Sequence, residues 1–236
     1  MRIDKYLSEA AVASRSESAK AIRAGAVTVN GVTVKSPAEH IDETTASVVF
    51  RGVPVVWRRF TYAMLNKPAG VVSTTDDTPR AVMKILPPEF TKMGMFPCGR
   101  LDIDTVGLLL ITNDGALAHE LLSPRHHVAK RYGFRCDPPI SQADRAAIEA
   151  GIDIGGYITK PASIELEDGG ASGVISITEG KFHQIKRMFE AVGSKIVYLR
   201  RLSFGSLVLD ENLAEGKWRY LTDSEISALR AWAGSK

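Results

Sequence analysis

The stretch GRLDIDTVGLLLITNDG, residues 99 to 115, sets two carboxylates, Asp102 and Asp104, between an arginine and a run of branched apolar residues. Three chemistries compete for such a pair. As D-x-D the acids could hold a divalent cation, but no further acid or Asn lies close by, and the adjacent His126 and His127 project in divergent directions, so the cage is poor. Both could cap turns or pair with arginines, as most loop acids do. One could instead be a nucleophile, because an aspartate with a pKa of about 3.9 is ionised at neutral pH without a general base, and carboxylates attack sugar and base carbons. Burial in a dry pocket disfavours that anion unless a fixed cation stands beside it.

A second stretch offers the cation. In KFHQIKRMFEAVG, residues 181 to 193, Ile185, Met188, Phe189 and Val192 recur at the period of one helical face, with Gly193 as a stop. At roughly 100° per residue, Arg187 points away from that face and Lys186 sits at its edge. Lys186 is therefore the better placed to enter a cleft beside a buried carboxylate, and Arg187 to meet phosphate or solvent. Arg100 is an alternative partner that spacing alone leaves open.

These side chains need elements to hold them. GLLLIT is short and uniformly apolar, which predicts a buried strand fed by a loop over Arg100 to Asp104. Beyond Tyr62, strand-like segments (YAMLNK, GVVST, YGFRC, SIELE, GVISIT, KIVYLRRLSFGSLVL) alternate with helix-like ones near 116–122, 141–150, 183–192 and 223–233. Hairpin-like neighbours outnumber β-α-β units, so the expectation is an α+β fold with a mixed, mainly antiparallel sheet and flanking helices. Capping signals mark helix starts at Ser141 with Asp144, at Thr222 with Glu225, and at the turn Asn113-Asp114-Gly115.

The front of the chain reads as a smaller α/β module. Helices are expected over Ile3 to Ala11, with Ile3, Leu7 and Ala10 or Ala11 inward, and over Arg15 to Ala24, where Ser14 and Glu17 form a capping box and Gly25 closes the helix. Ala19 and Ile22 are expected inward, Lys20 and Arg23 on one outer face. VTVNGVTV then predicts a hairpin turning at Asn30-Gly31. We place the domain division at 1–58 and 59–236.

Composition bounds the rest. With 236 residues, 44% hydrophobic and 24% charged, the chain can bury a substantial core, and no apolar run approaches the roughly 18 residues of a membrane span. The N-terminus lacks a signal-peptide pattern, so a cytoplasmic protein is expected, with Cys98 and Cys136 as reduced thiols. A net charge of +3 is modest, but Lys181 to Arg201 holds six cations against Glu190, and Arg125 to Arg135 holds four against no acid. Two such blocks could line a phosphate backbone.

Three segments, GRLDIDTVGLLLITNDG, SPRHHVAKRYGFRC and EGKFHQIKRMFEAVG, together resemble the catalytic motifs of RNA pseudouridine synthases. The front module, with RIDKYLS and SRSESAKAIRAGAVTVNG, resembles the S4-type RNA-binding domain, which places the likeness in the RsuA-like group and extends it over nearly the whole chain. The resemblance implies isomerisation of one uridine in RNA without metal or cofactor. It implies Asp102 as catalytic aspartate, Tyr132 as the tyrosine that stacks on the base and assists C5 deprotonation, Lys186 as the partner of the aspartate, and Arg100 and Ile185 beside the pocket. LNKPAG, residues 65 to 70, matches a further family motif, although a strand ending in a Pro-Gly turn would look the same. RNA contacts are implied at Arg2, Arg15, Lys20 and Arg23 in the front module and at Arg125, Lys130, Arg131 and Arg187 in the larger domain. Lys195 to Arg201 then becomes a second phosphate wall. DIDT and SPRHH follow members acting on small-subunit (16S) ribosomal RNA, naked or partly assembled, and a monomer is expected. A synthase acting on 23S rRNA and a non-catalytic assembly factor are the alternatives. Whether the aspartate attacks C1′ or C6, or promotes a glycal, stays open.

Overall fold

Ser14 opens the second helix as its spacing predicts: its Oγ accepts from the Glu17 amide, and the Glu17 carboxylate accepts from the Ser14 amide. In this computed structural model, which describes residues 1–234, the first unit comprises Met1–Thr61 together with Pro87–Met95, a segment that the sequence reading leaves in the larger domain. Helix α1 (Ile3–Glu9) stops short of the expected Ala11, whose φ of 56° is left-handed and ends the turn. Helix α2 (Arg15–Arg23) buries Ser18, Ala21 and Ile22, leaves Ala19 half-buried, and closes on Gly25 at φ 73°. Strands β1 (Val27–Val29) and β2 (Val32–Thr33) turn at Asn30 and Gly31, both with positive φ, as a type I′ hairpin requires. With β3 (Val48–Phe50) and β4 (Val53–Val55) they form a four-stranded antiparallel sheet in the order β2-β1-β3-β4. Ile3, Leu7, Ile22 and Val27 make its small core.

The second unit carries one nine-stranded sheet. Along the chain come β5 (Tyr62–Lys67), then helix α3 (Pro88–Lys92) of the first unit, β6 (Phe96–Pro97), β7 (Val106–Thr112), α4 (Gly115–Leu122), β8 (Lys130–Asp137) and α5 (Gln142–Ala150). There follow β9 (Ser163–Glu167), β10 (Ser172–Ile177), α6 (Gln184–Glu190), β11 (Lys195–Phe204), β12 (Leu207–Val208), β13 (Trp218–Tyr220) and α7 (Asp223–Gly234). The main order is β13-β5-β7-β11-β8-β10-β9, with β12 on β11 and β6 on β7. Every pairing is antiparallel except β11 with β7, so the sheet is mixed and mainly antiparallel.

All seven residues of β7 are buried, as expected for a central strand. At its parallel contact with β11 the backbones come close: a Cβ on Gly107 would stand 2.4 Å from the Arg201 carbonyl oxygen, so only glycine fits. The predicted caps form at Asp114, Ser141 and Thr222. GVVST is a correction. It forms no strand, only a single bridge from Val72 to Ala81, because the polar residues that follow fold back through a Thr74–Asp76 turn and offer no partner strand.

Candidate active site

The loop from Arg100 to Thr105 hangs between β6 and β7 and is fixed from inside the second unit. Lys67, at the end of β5, is fully buried, and its ammonium donates to the carbonyls of Thr105 (2.9 Å), Pro68 (3.0 Å) and Asp102 (3.1 Å). Burial pushes this lysine down to about 8, while the nearby carboxylates of Asp104 and Asp102 pull the other way. Ser73 Oγ accepts from the Leu101 amide and donates to its carbonyl, each at 3.1 Å. The backbone that carries Asp102 is therefore tied down on both sides of that residue.

Helix α6 supplies the cation. Its buried face holds Ile185, Met188 and Phe189, which turns Lys186 toward the loop. The Lys186 ammonium stands 2.5 Å from Asp104 Oδ1 and 3.2 Å from Asp102 Oδ2. Burial alone would lower its pKa, but the two carboxylates hold it above the ordinary lysine range. Asp104 is held below the ordinary carboxylate range by Lys186, against the upward pull of partial burial. One ammonium thus serves both acids, where the family resemblance named it as the partner of Asp102.

Asp102 has a second neighbour that sequence reasoning missed. His183 Nε2 lies 3.7 Å from Asp102 Oδ1, and His183 adopts left-handed backbone angles (φ 51°, ψ 31°) at the start of α6. Its spacing of three from Lys186 was the available signal. The ring stacks on exposed Phe182, with centroids 3.8 Å apart. Buried Gln184 donates to Glu179 (2.9 Å) and accepts from the Lys181 amide, which holds this turn in shape.

Asp102, Tyr132, Ile185 and Lys186 line one cavity of about 380 Å³, together with Arg100, His183, Lys130 and Arg201. Tyr132 is buried on β8, where it pairs with Ile175 of β10 on one side and with Arg201 of β11 on the other. Arg100 lines the cavity with an exposed side chain, whereas the basic side chains within 4 Å of the Asp102 carboxylate among the described residues are Lys186 and His183. Among the same residues no three His, Cys, Asp or Glu side chains converge as a metal cage.

The expected phosphate-binding residues divide by strand geometry. Arg125 and Arg131 are exposed, with Arg131 3.7 Å from Glu165, and Arg187 is half-buried near Gly155. Lys130 lies two residues from Tyr132 on the same strand face and so lines the cavity instead of the outer wall. Arg201 corrects the second wall: Lys195 is exposed and Arg200 half-buried, but alternation along β11 turns Arg201 inward, where it is 2% exposed. In the first unit Arg15, Lys20 and Arg23 are exposed, and Arg2, also exposed, pairs with Asp4 at 2.8 Å.

Comparison with known proteins matches this geometry to a family. Residues 61–191 match the model described as RNA pseudouridylate synthase, and residues 1–45 match the S4 domain. A Bacillus subtilis protein described as an uncharacterized RNA pseudouridine synthase, YtzG, is 46% identical over 97% of this chain and 98% of its own length. The ribosomal small subunit pseudouridine synthase A of Haemophilus influenzae is 40% identical, covering 97% and 99%. A solved structure described as a pseudouridylate synthase superposes with a TM-score of 0.68 at 39% identity, over 97% of this chain and 99% of that one.

Proposed function

The chain belongs to the RNA pseudouridine synthases, and from that premise we propose that it converts one uridine of small-subunit (16S) ribosomal RNA to pseudouridine with Asp102 as the nucleophile. The observation that carries the reading is the Asp102–Lys186 pair (3.2 Å) opening on the same cavity as Tyr132. A uridine stacked in folded RNA must leave its stack before its base can be turned, at a cost of a few kcal/mol. A cavity of about 380 Å³ suits one extruded nucleoside, and Tyr132 offers a ring for the base to lie against. Lys186 places a compensating charge 3.2 Å from the Asp102 carboxylate, and the tied loop holds that carboxylate in place without a cost of reorganisation when it reacts.

The choice of small-subunit RNA rests on likeness to synthases named for that subunit, 40% identical over nearly the whole chain. Exposed Arg15, Lys20 and Arg23 suit an RNA backbone, as do Arg125 and Arg131.

The test incubates the protein with unmodified small-subunit rRNA in the presence of chelator and maps pseudouridine by carbodiimide labelling and primer extension. A new stop with the unmodified protein, absent with Asp102→Asn, is expected. Normal conversion by Asp102→Asn removes the nucleophile assignment, and a stop on large-subunit RNA alone moves the substrate. In the same preparations, Lys20→Glu with Arg23→Glu weakens RNA binding and reduces its log–log salt slope by about 2; unchanged affinity at all salt concentrations removes these residues from the interface.

A further inference from the structure

The cavity contains two cations that the Asp102–Lys186 pair does not use. Lys130 and Tyr132 lie two apart on one face of β8, and across the ladder Lys130 pairs with Phe204 and Tyr132 with Arg201. The two cations therefore converge on one aromatic ring: Lys130 Nζ is 5.7 Å and the Arg201 guanidinium 5.2 Å from the centroid of Phe204. Among the described residues neither has a carboxylate within ion-pair distance. Lys130 donates to the Val128 carbonyl (2.8 Å), Arg201 Nε donates to the Leu108 carbonyl (2.6 Å), and Arg201 Nη2 is buried with no hydrogen-bond partner. Two positive charges lining one cavity, Arg201 buried and Lys130 half-buried, repel each other without an acid between them and cost stability. Such a pair of cations is chemically suited to a negatively charged group in the cavity.

We propose that Lys130 and Arg201 form a cationic floor that stabilises the negative charge developing on uracil when it separates from ribose. The inference rests on the reading of this cavity as the uridine site. Uridine itself is neutral, so the floor gains little in the ground state. When the N1–C1′ bond breaks, its electron pair stays with the base, which becomes a uracilate with charge on N1, O2 and O4. The electron-deficient C1′ takes a pair from the Asp102 carboxylate. After the base turns, C5 donates a pair to C1′, the carboxylate departs with the pair it lent, and the C5 proton passes to water while N1 takes up a proton, which restores the neutral ring. Should Asp102 add to C6 instead, the C5–C6 π pair moves onto O4 as an enolate, and the floor meets the same charge. Interactions that strengthen only as charge develops lower the barrier rather than the substrate dissociation constant. A backbone phosphate is the poorer occupant: Arg201 is 2% exposed, beyond the reach of a phosphate that stays on the chain outside the cavity.

The experiment compares two free bases of one shape on the full-length protein by calorimetry just above neutral pH, where Lys130 still keeps its proton: uracil, which stays neutral, and 6-azauracil, which is largely ionised. The unmodified protein is expected to bind 6-azauracil on the order of tenfold more tightly. Lys130→Met and Arg201→Gln are expected to erase that preference while leaving uracil affinity unchanged. In single-turnover assays on rRNA, Lys130→Met lowers the rate on the order of 10²-fold without weakening RNA binding. The first comparison needs no variant, so a misfolded Arg201→Gln does not spoil it. Equal affinity for the two bases, or uptake of neither, overturns the proposal, as does an unchanged rate in Lys130→Met. A site that takes inorganic phosphate in preference to 6-azauracil overturns it too, by assigning the cations to the RNA backbone. Conversion of uridine by Asp102→Asn rejects the site reading itself, whereas conversion by the unmodified protein without preference for the anionic base rejects the floor alone.

Discussion

Lys186 Nζ lies closer to Asp104 (2.5 Å) than to Asp102 (3.2 Å), so the cation beside the proposed nucleophile is itself held by that acid's neighbour two residues along the chain. Asp104 is 64% exposed and Asp102 27%, which sets what each contact is worth. The exposed pair is screened by water and positions the ammonium, while the sheltered pair preserves a charge in the cavity.

The two acids should therefore respond unequally. Asp104→Asn lets Lys186 drift and is expected to lower kcat about threefold, in line with an exposed pair worth up to about 1 kcal/mol. Lys186→Met strands the Asp102 carboxylate and is expected to cost on the order of 10²-fold. Asp102→Asn should abolish turnover. Single-turnover rates on rRNA check the ranking, and an Asp104→Asn loss equal to that of Lys186→Met would reassign the reactive carboxylate.

Lys67 holds the loop from beneath. Replacing it by Met leaves the buried carbonyls of Asp102 and Thr105 without their donor, an expected loss of about 3 kcal/mol in unfolding free energy and a fall in kcat larger than any rise in KM. Urea unfolding and steady-state kinetics measure the two effects. A variant that loses stability yet keeps kcat would show that Asp102 is positioned by other contacts.

Lys130 gives a pH signature. Burial, reinforced by the neighbouring Arg201 charge, lowers its pKa from 10.5 to about 8, with Cys98 and Glu179 acting weakly in the opposite direction. Below 8 the folded state carries a buried cation that it disfavours. Between about 8 and 10.5 the unfolded chain holds the proton that the folded chain has released, so this group's contribution to stability rises with pH. Lys130→Met is thus expected to stabilise the free protein by about 2 kcal/mol near neutral pH, and the advantage should shrink as pH rises above 8. Urea midpoints for both proteins across that range decide it, and a constant difference at all pH values would refute the assignment.

Much of the architecture could be read from local pattern. The Ser14–Glu17 and Ser141–Asp144 boxes, the Asn30-Gly31 turn and the apolar run of β7 each depend on residues within one turn or one strand. GVVST failed because a strand needs a ladder of partners, and this segment pairs only through the single bridge from Val72 to Ala81. In the site, the Lys186 edge position was legible from helical period, whereas His183 depended on a left-handed backbone residue that period alone does not reveal.

The sequence by itself determined the acid, the helix that brings a cation to it, and the strand behind its loop, because each follows from side-chain type and spacing along a single element. Tertiary structure decided which charges work together. Lys67 became a buried brace, Lys130 and Arg201 turned from the expected phosphate walls into the cavity, and Lys186 came to serve two acids. The physical reason is that burial and ion pairing depend on which strands lie adjacent. β8, β11 and β7 are neighbours through register and through the close approach that Gly107 permits, neither of which local sequence encodes.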